Sequence, residues 1–360
     1  MARLARQARG LSQTELASRM QIGQGTVSRF ETSQSGIGEE LIDNLSEALK
    51  VSTRLFEMDW SPIGLGLHEF HHRKRRRASA KALLQIHATI TIQWHQLNLL
   101  QEGGLDEAAR FPYLPISGHY PTPAAVADEI RAHWNLPPGP VDNLVHAVER
   151  GGGLVILCDF GTSDVDGLSV WLHPSPPVFW LNRLIPPDRA RWTLAHELGH
   201  VVMHTGEFGN PEIEREADQF AAQFLLPDHS IRNELVGLTP MQLPGLKREW
   251  RVSMQALIMR ARDLGLISNR KKQRLFMELS RAGYRLREPR ELDPMPEQPT
   301  GVQRMLERFA RNLNWSPVEL RNWLGACGDD LQKLASDFTP QLRVVNSEQS
   351  QNTSQRSIQL

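Results

Sequence analysis

Apolar residues over positions 1 to about 60 recur at three- and four-residue spacing in short stretches: Leu16 and Met20, then Val27 and Phe30, then Leu41, Leu45 and Leu49. Turn signals separate the stretches, and the pattern predicts a compact bundle of four or five helices. Ser61-Pro62-Ile63-Gly64-Leu65-Gly66 breaks it, and His71-His72-Arg73-Lys74-Arg75-Arg76-Arg77 follows as a dense basic run, either a solvated linker or a phosphate contact. From Ala78 to about Gln101 neither Pro nor Gly occurs. Leu83, Leu84, Ile86, Ile90, Trp94, Leu97 and Leu100 there predict one long amphipathic helix that connects domains or pairs with its twin.

Beyond the Pro-rich stretch from Phe111 to Pro123, helical pattern (Ala124 to Trp134, Val141 to Arg150) alternates with apolar runs at Leu154–Cys158, Leu168–Leu172 and Val178–Leu181. A helix is predicted to begin near Pro187, and helical pattern then dominates from Ala190 to about Leu264, so this is a mixed α/β unit. Pro289, Pro294, Pro296 and Pro299 mark its end, Ser316-Pro317-Val318-Glu319 reads as a capping-box helix start, and Asn346 to Leu360 is polar enough to be expected disordered. The boundaries are therefore drawn at 1–60, 61–111, 112–292, 293–345 and 346–360, in a multidomain, mainly α chain with one mixed α+β domain.

Composition narrows the function classes. Lys and Arg total 41 against 41 Asp and Glu, so any nucleic-acid binding must come from local charge. With 40% hydrophobic and 23% charged residues the chain can bury real cores. No apolar run approaches the ~18 residues that span a bilayer, and Arg3, Arg6 and Arg9 interrupt any signal peptide, so a cytoplasmic protein with no membrane partner is expected. Cys158 and Cys327 stand far apart, which excludes a disulfide framework or a cysteine zinc ribbon.

Local charge is uneven. Residues 1 to 30 hold five Arg against Glu15 alone, whereas residues 31 to 60 hold Lys50 and Arg54 against seven acidic residues. Ser12 and Glu15 form a capping box, Gln21-Ile22-Gly23 supplies a tight turn, and Gln24 to Glu31 follows with Val27 and Phe30 inward, which is a helix-turn-helix. Ser12-Gln13, Glu15-Leu16-Ala17, Gln24, Val27-Ser28 and Glu31 resemble the XRE (Cro/repressor-type) family over residues 2 to 56. A double-stranded DNA operator is then the expected partner, with Gln24, Thr26, Ser28 and Arg29 toward the groove and Gln13 near a phosphate. Such modules bind two half-sites as dimers, so a homodimer is expected, most simply through the long helix.

The sharpest chemistry lies in Arg191-Trp192-Thr193-Leu194-Ala195-His196-Glu197-Leu198-Gly199-His200, an HExxH on a helix. Two histidines four residues apart differ by ~40° in direction and ~6 Å along the axis, so both imidazoles can reach one cation with Glu197 beside its water. A catalytic zinc needs a third protein ligand. Glu214 and Asp218 share one face of the next helix, so Glu214 is preferred over Glu212 or Glu216 as that ligand, with Asp218 bonding an imidazole N–H. His204 lies ~12 Å along the axis from His196, too far to join them, and is read as packing or support. The apolar strand Val178–Leu181 either pairs with an extended substrate or is a core strand; His229, Tyr284 and several arginines all remain open as oxyanion partners.

Ala195 to His200, Glu214 to Ala221 and Leu225-Leu226-Pro227 resemble the signature of the ImmA/IrrE-type metallopeptidases, with looser resemblance from about Pro121 to Pro289. The resemblance implies a zincin-like domain, Zn2+ (Mn2+ as an alternative) held by His196, His200 and Glu214, and Glu197 as general base. It also implies cleavage of an XRE-type repressor, since that family's better understood members inactivate such repressors. The competing reading is a transcriptional regulator whose zincin-like domain senses a peptide or metal without useful hydrolysis; the intact Glu197 favours the enzyme. A housekeeping peptidase would not need a DNA-reading head.

Overall fold

The computed structural model describes residues 1–32, 38–57, 79–102, 111–116, 118–172, 175–204 and 210–325. The 61–66 stretch, the basic run ending at Arg77, Cys327 and the 346–360 tail lie outside the described residues.

Five short helices, α1 (Ala2–Ala8), α2 (Gln13–Met20), α3 (Gln24–Thr32), α4 (Glu39–Leu49) and α5 (Arg54–Glu57), enclose Leu16, Met20, Val27, Leu45, Leu49 and Leu55. The capping box is present: Glu15 N donates to Ser12 Oγ at 3.1 Å and Ser12 N to Glu15 Oε2 at 2.6 Å. One detail of the turn differs from expectation. The left-handed residue is Gln21, at φ 56°, while Gly23 serves through its carbonyl, which accepts from Thr26 N at 2.9 Å to start α3. Arg6 fastens α1 to α3 by a two-pronged bond to Glu31, at 2.5 and 2.8 Å.

The long helix α6 (Ala80–Glu102) is buried on two faces rather than one. Ile86, Ile90, Leu97 and Leu100 enter the core beneath the sheet, while Ile92 packs against the helix-turn-helix core and Gln85 lies against Gly10 just past α1. Leu84, predicted inside, is left exposed. The apolar surface expected to pair with a twin is spent within the chain.

Then follow α7 (Pro123–His133), α8 (Leu144–Arg150) and a sheet of β1 (Leu154–Cys158), β2 (Gly167–Val170) and β3 (Val178–Asn182). Strand order is β1-β3-β2, with β1 parallel to β3 (Leu154 opposite Val178) and β2 antiparallel to it (Gly167 opposite Leu181). The remaining elements are α9 (Pro187–Met203), α10 (Pro211–Leu225), α11 (Asp228–Leu235), α12 (Leu243–Trp250), α13 (Met254–Asp263), α14 (Asn269–Arg281), α15 (Gly301–Leu313) and α16 (Pro317–Trp323).

Alternation along the strands splits the core in two. Val155, Phe179 and Leu181 face α7 to α10, whereas Ile156, Cys158, Leu168, Val170, Val178 and Trp180 face α6 and α15. An apolar second face must be covered, and Val302, Leu306 and Phe309 of α15, with Leu320 and Leu324, cover it beside α6. The helices expected as a connector and a C-terminal appendage therefore form one layer with the sheet.

Buried carboxylates tie this layer down. Glu149 of α8 accepts from Gly301 N at 2.8 Å and Thr300 N at 3.0 Å, capping α15 across the sequence. Glu297 pairs with Arg191 of α9 and accepts from Val145 N at 2.8 Å. Lys247 is wholly buried between Asp188 and Glu288, the latter at 2.8 Å. Burial alone would lower the Lys247 pKa, but bonds to both carboxylates outweigh it and raise the value above that of an ordinary lysine. Lys247→Met is expected to cost about 3–5 kcal/mol because it strands two buried carboxylates. Urea unfolding followed by tryptophan fluorescence checks this, and a loss under about 1 kcal/mol would mean other groups serve them.

Candidate metal centre and nucleic-acid face

The HExxH segment sits in α9, which begins at Pro187 and is buried from Thr193 to Met203. Two glycines let it approach its neighbours. A Cβ at Gly167 of β2 would lie 2.7 Å from Thr193 Cγ2 of α9, and one at Gly199 would lie 3.1 Å from Phe220 of α10. α9 is therefore pressed between the sheet and α10. Asn210 caps α10, its Oδ1 accepting from Glu212 N at 3.0 Å, which sets the register that presents Glu214 and Asp218 to α9.

Three donor atoms converge. His196 Nε2 and His200 Nε2 are 3.0 Å apart, and oxygens of Glu214 lie 3.4 Å from each. On a tetrahedral zinc with bonds near 2.0–2.1 Å, neighbouring ligand atoms lie roughly 3.3 Å apart, so this set fits one small cation. His196, His200 and Glu214 are also the one group of this kind among the described residues. The histidines are buried while the Glu214 side chain is 41% exposed, so the cluster opens on its carboxylate side.

The surrounding bonds prepare the imidazoles. His196 Nδ1 is 3.0 Å from Asp218 Oδ1, which fixes Nδ1 as the protonated nitrogen and leaves the Nε2 lone pair for a cation. Trp192 Nε1 donates to the same oxygen at 3.5 Å. Burial would lower the His196 pKa, but bonds to Asp218 and Glu214 and the charge of Glu197 outweigh it and raise the value to about 9. A cation must displace that proton. Glu197, fully buried, takes a hydrogen bond from Ser169 Oγ at 2.7 Å and lies outside the three-donor group.

The structure decides the points that spacing left open and keeps His204 outside the metal cluster, as its offset along the axis implies. β3 is the central strand, paired on both sides, so Val178–Leu181 has no edge for an added strand; β2 ends the sheet. His204 bonds Glu216 Oε2 at 2.8 Å and is not in the cluster. Tyr284 packs on the domain core and His229 is exposed. The reading missed Ser169 and Trp192. Ser169 was visible as the one polar residue between Leu168 and Val170, but only the strand order shows that it faces α9.

In the helix-turn-helix, Gln24 and Arg29 are exposed on α3, and Thr26 and Ser28 are half-buried. Gln24 Nε2 donates to Gln13 Oε1 at 2.8 Å and Gln13 Nε2 to Glu31 Oε2 at 3.0 Å, so the two glutamines are held as a pair by the Arg6–Glu31 bridge.

Comparison with known families agrees with both units. Residues 148–262 match a peptidase-family model described as the IrrE N-terminal-like domain, and residues 3–56 match a helix-turn-helix model. No curated protein matches the chain. The chain thus carries an XRE-type helix-turn-helix domain ahead of an IrrE/ImmA-like peptidase-family domain.

His196→Ala and Glu214→Ala are each expected to abolish stoichiometric metal binding. Asp218→Asn should weaken it by roughly tenfold to a hundredfold. Metal analysis after dialysis distinguishes these; near-complete loss with Asp218→Asn beside normal binding by Glu214→Ala would exchange the two carboxylates.

Proposed function

We propose that this chain is a DNA-binding transcriptional regulator whose second domain is a zinc-dependent endopeptidase that cleaves a repressor-type regulatory protein. The observation that supports it best is the convergence of His196, His200 and Glu214 with Glu197 held beside them but outside the three-donor set. When bound there, zinc would polarise the scissile carbonyl and lower the pKa of a water.

The chain's own residues do the rest. Asp218 keeps the His196 proton on Nδ1, so Nε2 is free of it. Glu197 takes the proton of the attacking water and delivers it to the leaving amine, a role that requires its carboxylate to stay unligated. Ser169 fixes the Glu197 rotamer by its bond to Oε2. Because β2 ends the sheet and runs beside α9, an extended substrate is assigned to β2 rather than to β3. The Gln13–Gln24 pair, with Thr26, Ser28 and Arg29, meets the operator.

Incubation with candidate XRE-type repressors and zinc or manganese tests the reading. A discrete product is expected from the native protein and none from Glu197→Gln, which keeps its metal. Ser169→Ala should lower kcat about tenfold with metal content and KM little changed, and Ser169→Thr should restore much of it. If no Glu197-dependent product forms with any repressor, the domain is a sensor instead. Arg29→Ala is expected to weaken operator binding by about 1–3 kcal/mol without altering metal content; gel-shift titration and metal analysis read the two effects separately.

A further inference from the structure

A half-site reader is expected to act as a dimer, yet α6, the long helix that would form one, is occupied on two faces within its own chain. Two other helices carry unmatched charge. α14 holds Arg270, Lys271, Lys272, Arg274 and Arg281 against one acidic residue, Glu278. Arg270, Arg274, Met277 and Arg281 follow helical spacing along an exposed side, while Leu275 and Leu279 hold the opposite side in the core. Met277, 53% exposed, sits within that cationic stripe. Among the described residues none of the five cationic side chains has a hydrogen-bond or ion-pair partner.

α4 is its complement. It carries Glu39, Glu40, Asp43 and Glu47 with no basic residue, and all four are exposed while Leu45 and Leu49 face the core. These carboxylates likewise have no ion-pair partner among the described residues. No ion pair joins α4 to α14 within the chain, where they belong to separate cores.

We propose that the α14 stripe is a docking surface for α4 of a second copy of this chain, the two copies pairing reciprocally about a two-fold axis. An isologous pair makes the contact twice and then closes, so it gives a dimer rather than a filament. Antiparallel docking sets Arg270, in the first turn of α14, against Glu47, in the last turn of α4, and Arg274 against Asp43, each near the middle of its helix. The charged stretches, about 12 Å on α4 and about 16 Å on α14, are of similar length, and the helix dipoles then oppose favourably. Duplex DNA is the other polyanion this chain meets. α14 packs in the layer on the far side of the sheet from α6, to which the helix-turn-helix unit attaches, which favours a protein helix over a duplex seated on α3.

Charge exchange in the full-length protein tests this by sedimentation equilibrium. One variant combines Arg270→Glu with Arg274→Glu, the other Asp43→Lys with Glu47→Lys. Arg270→Glu and Glu47→Lys suit the dipoles of their own helices, and Arg274→Glu and Asp43→Lys fall near the middle, where the dipole has little effect, so folding should survive, and circular dichroism checks that it does. The native chain should self-associate at about 50 mM salt and at least about tenfold more weakly at about 500 mM, where screening is strong. Each variant alone should associate at least about tenfold more weakly at low salt, and an equimolar mixture of the two should recover most of the native affinity because both contacts are again complementary. A native chain that stays monomeric in low salt overturns the proposal, as does a mixture that fails to recover. If reversing α14 leaves self-association intact but lowers duplex affinity and its salt slope, the stripe binds DNA phosphates, which also overturns it.

Discussion

Burying the whole middle of α9 is the constraint from which the site follows. An apolar helix in that position would need nothing more, but His196, Glu197, His200 and, just beyond its end, His204 are all buried with it. An unpaired buried polar group costs a few kcal/mol and an unpaired charge more, so every such side chain must find a specific partner. Those partners come from different elements: Ser169 from β2, and Asp218, Glu214 and Glu216 from α10. The same bonds that make the burial tolerable fix the rotamers that bring two Nε2 atoms within 3.0 Å of each other. Stability and chemistry are therefore not separable here, and the small residues at Gly167 and Gly199, which allow the close packing, belong to the site although they touch no cation.

Carboxylates do the long-range work elsewhere in the domain. Glu149, Glu288 and Glu297 each bind backbone amides or cations far away in sequence, and each is nearly inaccessible. Glu288 accepts from Met254 N at 3.1 Å as well as from Lys247, so it both caps α13 and neutralises a buried cation. Such bonds are directional, and they hold the chain from 285 to 301 against α8, α9 and α12, whereas an apolar strap of the same length could slide.

What could be read from sequence was whatever rests on spacing along one element. His196 with His200, Glu214 with Asp218, and Ser12 with Glu15 are all pairs within a single helix or its cap, and the structure brings each together in the way its spacing implies. What could not be read depends on which elements meet. β1 and β3 are parallel neighbours although β2 intervenes in the chain, so β3 is central, and no periodicity within Val178–Leu181 reveals that. Ser169 needed the same knowledge. Nothing in the spacing around Lys247 marks it as buried; the return of Glu288 and the packing of Asp188 make it so. The long helix was recognised, but a single stripe was inferred where the chain buries two.

That second stripe determines how the two halves of the chain are joined. An interface of aliphatic side chains alone would let α6 slip by a turn with little penalty, since one leucine replaces another. Instead Gln93 Oε1 accepts from Trp180 Nε1 at 2.8 Å and from Cys158 Sγ at 3.5 Å, and Gln96 Nε2 donates to Leu324 O at 3.2 Å, all inside the apolar layer. Moving α6 by one turn would break these bonds and leave buried polar groups unmatched, at about 1–3 kcal/mol each. The glutamines therefore set the register of α6 on the sheet. Because Ile92 and Gln85 on its other side carry the helix-turn-helix unit, the same register places that unit relative to the strand that supplies Ser169. A polar bond deep in one core thus fixes the position of a surface in another.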